Sequence, residues 1–250
     1  MCIRDSYKSD IFVIATSTKK HLNVINDIII NYCPKIILCE KPIVSNSYEF
    51  KKLNQLLKKY NVKIITNFPR RFDISYNFLK DEISNSNHKY HFYGTFNKGL
   101  IHNGSHMIDL ISMLVGPLSK IETINYKIMD NDFFGNFFVK TKYCSGVISN
   151  INSKKLSVFE FTIYTDKGKF EIKDSSHKIN IYRTVKSNLF KDFEIYHKKD
   201  ELPYTLARSA YNTFDYIIKL LEKKSECKKL ISEQYNVNKI IFDTQKKFLQ

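Results

Sequence analysis

Lys35-Ile36-Ile37-Leu38-Cys39-Glu40-Lys41-Pro42 decides how this chain is read. An apolar run so short, closed by polar residues and a proline, is the mark of a strand buried on both faces. Proline has no N–H to offer a ladder, so the strand must end before Pro42. Glu40 and Lys41 therefore stand at its carboxyl edge, where open α/β sheets keep their ligand crevice. Working outward, Asp10–Thr16 reads as a second buried strand. Lys20–Tyr32 follows it as a helix carrying Leu22, Val24, Ile25, Ile28 and Ile29 at roughly helical spacing. On the other side a helix from about Ser47 to Tyr60 lines Phe50, Leu53, Leu56 and Leu57 on one face, with Ser45 or Ser47 as its cap. Val62–Thr66 is a third strand. Strand–helix–strand–helix–strand in this order requires right-handed crossovers and a parallel sheet.

From about residue 74 the texture changes. A helix over 75–83 leads to a strand over 90–95 and then to His102-Asn103-Gly104-Ser105-His106-Met107-Ile108-Asp109. The helix that begins near Ser105 stops at Gly116-Pro117, one residue favouring a left-handed cap and the next unable to continue a helix. Strands are expected over 120–128, 134–142, 145–151, 157–165, 168–173 and 178–183, with Asp166-Lys167-Gly168-Lys169 as a hairpin turn. Helices over 204–224 and 232–248 close the chain. The expected class is α/β: a partial doubly wound, Rossmann-like parallel sheet, then an α+β domain with a mostly antiparallel open sheet. The expected division is 1–74 and 75–250, the second part carrying the C-terminal helices.

Composition narrows the function classes. At 250 residues, 43% hydrophobic and 14% aromatic, the chain has the content of a globular protein rather than a disordered tail. No apolar run reaches the roughly 18–20 residues of a membrane span, and Met1–Ser6 lacks the apolar core of a secretory signal. Five cysteines (2, 33, 39, 144 and 227) without C-x-x-C pairing speak against a disulfide framework and a Cys-rich zinc site, and fit a reducing cytoplasm. The formal charge is +15, yet all but five of the 40 basic residues are Lys, dispersed along the chain. Arg, the better reader of phosphates and bases, is nearly missing, so nucleic acid is not the expected partner.

Three residue groups carry chemistry. A lysine at a strand exit, as Lys41 is, can hydrogen-bond a hydroxyl and stabilise a developing alkoxide. His102, His106 and Asp109 stand at i, i+4 and i+7, which on one helix would place them on a common face. Gly104 and Ser105 start the helix inside this group and leave His102 before it, and no H-E-x-x-H glutamate is present, so no metal site is expected. Ala15-Thr16-Ser17-Thr18 ends the first strand and reads equally as a strand exit with a helix cap or as a ligand edge.

Glu40-Lys41-Pro42 and Gly104-x-His106-x-x-Asp109 together resemble the Gfo/Idh/MocA family of nicotinamide-dependent sugar and polyol dehydrogenases. The resemblance implies NAD or NADP as cofactor and a small sugar or polyol as substrate. It places Ala15, Thr16, Ser17, Thr18, His21, Glu40, Lys41 and Pro42 at the cofactor. Lys41 would polarise the substrate hydroxyl and His106 would act as general base, a task suited to an unperturbed pKa of about 6.5. His102 occupies the family's acidic position; it would aid catalysis and, with Arg71, Asn103 and Asp109, bind substrate. Phe68-Pro69-Arg70-Arg71-Phe72 resembles a family segment in which Arg71 would pair with Glu40, contact substrate oxygens or pin two domains together. The resemblance also implies a homo-oligomer formed through the antiparallel sheet.

One part of the family pattern is missing: no glycine occurs before Gly94, so no Gly-rich dinucleotide loop stands in the first half. The expectation is an N-terminally truncated domain lacking about 60 residues that would cradle the pyrophosphate. Residues 1–7 would be a non-native leader, and catalysis in this piece would be weak or absent. The alternative is a non-catalytic sugar-binding or regulatory protein that keeps the family's sheet.

Overall fold

The computed structural model of the chain describes residues 9–130, 132–153 and 155–249; the leader expected over 1–7 lies outside them. It divides into two compact units, residues 1–68 with 216–250, and residues 69–215.

The first unit contains three parallel strands in sequence order, β1 (Ile11–Ile14), β2 (Ile36–Cys39) and β3 (Lys63–Thr66). Ile11 pairs with Ile36 and Ile37 with Ile64 in the two ladders. Helices α1 (Thr18–Tyr32) and α2 (Ser47–Tyr60) make the connections. β2 is buried along its whole length, as its unbroken apolar run requires. Ile25 and Ile29 of α1, Phe50 and Leu53 of α2, and Ile14, Ile37, Cys39 and Ile64 of the sheet share one core. Each such apolar side chain contributes about 1.5–3 kcal/mol by leaving water.

Both helices end in a residue with left-handed backbone, Cys33 (φ 45°) and Asn61 (φ 53°). At the start of α2 neither Ser45 nor Ser47 is the cap. Asn46 accepts from Glu49 N–H at 3.0 Å, and the Glu49 carboxylate accepts from Ser45 N–H at 2.8 Å. This resembles a capping box with Asn in the Ser/Thr position, except that Glu49 reaches back to the N–H one residue before the cap.

α6 (Lys224–Phe248) also belongs to this unit and lies against β3 and α2. The sequence reading had carried residues 216–250 with the second part instead. Gln234 explains the difference: its Nε2 donates to Thr66 O at 2.9 Å while its Oε1 accepts from Thr66 N–H at 2.8 Å. One side-chain amide thus does for Thr66 what a neighbouring strand would do. Asn238 adds a bond to the Thr66 hydroxyl at 3.0 Å.

The second unit is built on eight strands in the order β11-β10-β9-β8-β4-β7-β6-β5. They are β4 (Lys89–Asn97), β5 (Leu118–Met129), β6 (Asp132–Thr141), β7 (Ser145–Ile151), β8 (Phe159–Thr165), β9 (Gly168–Lys173), β10 (Lys178–Lys186) and β11 (Glu194–Leu202). All neighbours are antiparallel except β4 and β7, which run parallel across Phe92↔Gly146 and Gly94↔Ile148. A parallel pair needs a crossover, and the chain between these strands supplies it through α4 (Ser105–Leu114). α4 buries Met107, Ile108, Leu110 and Ile111. Gly94 lets α4 come this close, since a Cβ there would meet Met107 Sδ at 2.9 Å. α3 (Ile74–Ser84) is the other α-helix of this unit, and α5 (Ser209–Glu222) carries the chain across residue 215, where the unit ends.

β11 was not expected. Its sequence, EIYHKKDEL, has no apolar alternation, and eight of its nine residues are exposed. It forms because β10 offers it a full ladder, and its charges suit the outermost strand of a sheet.

Candidate active site

In the first unit, the exits of β1, β2 and β3 gather at the carboxyl edge of the parallel sheet. Glu40 N–H donates to Ile14 O at 2.9 Å and Asn67 N–H donates to Cys39 O at 2.7 Å, so each exit is tied to its neighbour. Ala15, Thr16 and Ser17 are exposed there, and α1 begins at Thr18. The N-cap Ser17 makes no side-chain cap bond, and no acidic residue stands in the first turn.

His21 lies one turn into α1, buried to 1% exposure. Its Nε2 is 3.0 Å from Thr16 O, and its Nδ1 is 3.1 Å from Pro42 O and 3.3 Å from Ile43 O. The ring thereby ties the exit of β1 to the turn after β2. Cys39 Sγ is 3.5 Å from Nδ1. Burial, and then the charge of Glu40, pushes the Cys39 thiol up to about 12, so it is neutral and inert.

Glu40 is met by Asn67, whose Nδ2 donates to Oε1 at 2.6 Å. Asn67 Oδ1 is buried and has no hydrogen-bond partner among the described residues. A buried acceptor left unpaired costs about 1–3 kcal/mol, so it asks for a donor. Lys41, partly buried, sits between Glu40 and Pro42. The sequence reading did not single out Asn67; it stands one residue before the Phe68–Phe72 segment.

These residues fit the nicotinamide end of a dinucleotide. Asn67 Oδ1 can accept from a carboxamide or a ribose hydroxyl, and the open backbone at Ala15–Ser17 accommodates a flat polar group. They supply no Gly-rich cradle for a pyrophosphate.

In the second unit, Pro69–Phe72 forms a 3-10 turn that buries Arg71 and Phe72. Arg71 Nε donates to Asp109 Oδ1 at 2.7 Å and to Oδ2 at 2.9 Å. Arg71 thus makes a buried ion pair inside its own unit, with a partner that none of the three readings for it named. Arg70 instead donates to Ser176 Oγ at 2.8 Å and lies 3.7 Å over the Phe159 ring. Asp73 caps α3 and receives the Thr205 hydroxyl at 2.7 Å.

His102 and Asn103 lie on a π-helical turn, Leu100–Gly104, that runs straight into α4. Gly99 O accepts from both Asn103 N–H and Gly104 N–H at 3.0 Å, the wider turn that puts His102 on the outside. His102 is exposed and His106 half-buried, and the Ser105 hydroxyl donates to His102 O at 2.9 Å. Asn103 turns its amide to Asn97 Oδ1 at 3.1 Å. Asp109 is buried with Arg71, whereas His102 is exposed and His106 half-buried. Among the described residues no three His, Cys, Asp or Glu side chains group as metal ligands. No helix of the described residues is long and apolar enough to cross a membrane.

Residues 2–68 match the family described as oxidoreductase, NAD-binding Rossmann fold (GFO_IDH_MocA). Comparison with curated proteins gives no match. Among solved structures, levoglucosan dehydrogenase in complex with NADH and levoglucosan superposes with a TM-score of 0.62 at 16% identity, over 76% of this chain and 60% of that one. WlbA dehydrogenase from Bordetella pertussis, with NADH and UDP-GlcNAcA, gives 0.55 at 15% identity over 67% and 59%. A variant of KijD10, a 3-ketoreductase from Actinomadura kijaniata, with TDP-benzene and NADP, gives 0.69 at 11% identity over 93% and 75%. The matched part of the chain thus spans about three-fifths of the first two structures.

Proposed function

We propose that this chain, whose residues 2–68 match the Gfo/Idh/MocA oxidoreductase model, carries that family's chemistry, hydride transfer between a nicotinamide cofactor and a hydroxyl of a sugar or polyol. The observation that carries it is the gathered edge of β1–β3, where Glu40 is held by Asn67 and a buried Asn67 oxygen awaits a donor. The bound dinucleotide would supply the hydride acceptor. Asn67 and the Ala15–Ser17 backbone would orient its nicotinamide end, with Thr18 opening the helix behind them. Lys41 would polarise the substrate hydroxyl, and His106 would take its proton on an imidazole nitrogen. His102 would hydrogen-bond a second hydroxyl. A glycan-precursor sugar agrees with the lysine-rich chain and with the UDP-GlcNAcA carried by one structural neighbour.

The second unit would pair with a copy of itself through the open face of its sheet. That face presents Tyr93, 52% exposed, and Tyr196, 40% exposed, joined through the Tyr164 ring at 6.4 and 5.8 Å.

Within residues 1–250 no glycine precedes Gly94, so these residues would hold the cofactor through the strand exits, and turnover by them alone would be slow. The experiment is NADH and NADPH titration by fluorescence, then absorbance at the nicotinamide band with a panel of sugars and polyols. Lys41→Met and His106→Ala should each lower any turnover at least about 100-fold with unchanged circular dichroism. Turnover that survives both substitutions would remove the assignment.

A second reading, sugar binding without turnover, draws on His102 at the family's acidic position and on the absent Gly-rich loop. It expects calorimetric heat with a sugar and no change in nicotinamide absorbance.

A further inference from the structure

The turn that carries His102 begins at a helix start whose own cap residue, Gly99, has no side chain to offer. Amides at a helix start have no partner within the helix and must be met from elsewhere. Here they are met from thirty residues away. Asp132, the first residue of β6, accepts from Ile101 N–H at 2.7 Å through Oδ1 and from His102 N–H at 3.0 Å through Oδ2. Oδ1 also accepts from its neighbour Phe133 N–H at 2.7 Å. One carboxylate thus receives three backbone donors, two of them from the histidine turn. Bonds of this kind to an ionised acceptor are about twice as strong as neutral ones.

Gly99 bears the matching requirement. Its backbone (φ −74°, ψ 173°) is one that any residue adopts, so conformation does not demand glycine. Space does: a methyl at Gly99 would overlap the Asp132 carboxylate. The residue is small because the carboxylate comes close.

We propose that Asp132 is a positioning residue that fixes the His102–His106 turn by capping it from β6. The proposal rests on the reading of His102 and His106 as substrate-facing groups. Asp132 touches neither reacting atom in this scheme; it sets the rotation of the turn about its axis and so the direction of both imidazoles. It also returns a fixed negative charge to the start of the segment in which His102 stands at the family's acidic position.

The test uses the whole chain, labelled with 15N and 13C, and two variants that reach the contact from opposite sides. Asp132→Asn keeps the shape and removes the charge, while Gly99→Ala keeps the carboxylate and pushes it away. In both, the Ile101 and His102 amide protons should move upfield and exchange with solvent at least tenfold faster. The Cε1–H signals of His102 and His106 should shift with them. The amides of Phe161 and Ile163 in β8 should keep their exchange rates, which separates a local cap from general destabilisation. If Asp132→Asn does not fold, Gly99→Ala decides alone. Wild-type amide exchange and unmoved imidazole signals in a folded variant overturn the proposal. Turnover does not enter these readouts. Absence of nicotinamide chemistry would therefore remove the reaction and leave the cap, whereas unmoved signals would remove the cap whatever the turnover.

Discussion

Arg71 and Asp109 are joined by two hydrogen bonds from a single guanidinium nitrogen, and their side chains are 4% and 2% exposed. The pair links the 3-10 turn Pro69–Phe72 to the middle of α4. Two charges taken this far from water are tolerable only together. Removing one leaves the other buried without compensation, at a cost of about 3–5 kcal/mol, whereas replacing both with apolar groups is often near neutral.

Arg71→Met and Asp109→Leu should therefore each destabilise strongly, while the double variant recovers most of the loss. Urea denaturation of the four proteins gives the coupling directly. Additive losses would show that the two residues act through other neighbours.

Gln234→Leu removes both bonds to the Thr66 backbone and leaves its buried N–H unmet, while Thr66 O keeps the bond from Phe68 N–H. The expected loss is about 1–3 kcal/mol for the one abandoned donor. The Thr66 amide should exchange quickly in the variant while Ile37, in the middle of the sheet, stays protected. Equal exchange at both positions would argue against Gln234 as the local seal.

Cys39 and Cys33 should differ sharply toward alkylation. Cys33 is exposed, whereas Cys39 is buried with its thiol held near 12. Iodoacetamide at pH 8 should label Cys33 and leave Cys39 untouched until the protein unfolds. The same shift has a stability consequence. Between the ordinary value of 9.0 and about 12 the unfolded chain loses this proton and the folded chain keeps it. Stability from this group is thus full below pH 9 and falls as pH rises toward 12. Cys39→Ser should flatten that part of the curve.

Charge placed on the open sheet face should dissociate the proposed pair of second units. Tyr93→Lys together with Tyr196→Lys sets like charges opposite one another across any two-fold contact through that face. Sedimentation equilibrium should show dimer affinity at least tenfold weaker, with thermal stability little changed. A dimer of undiminished strength would place the contact elsewhere.

The alternation of strand and helix in the first unit was legible because each element has a local cause. The unbroken apolar run of β2 and Pro42 behind it need no partner to be read. The α2 cap was off by one residue: Ser45, Asn46 and Ser47 are all competent, and the local signal that selects Asn46 is Glu49 three residues on. β11 was illegible: it is held by β10, and nothing in EIYHKKDEL announces a strand. The resemblance places His21 at the cofactor, and its buried ring spans two strand exits, contacts that no local pattern announces. Asp132 and Gln234 left no trace at all, because their partners lie thirty and 168 residues away.

The Gln234–Thr66 seal also sets an order of events. A ribosome that has just released β1, β2 and β3 has made a sheet whose third strand is still unmet at Thr66. The residue that meets it is translated 168 positions later. The first unit must therefore wait, part-formed, while the whole of the second is synthesised and can fold, since domains mature as units in the order they emerge. During that interval the edge of β3 is open to any passing strand. The last helix of the chain closes that window.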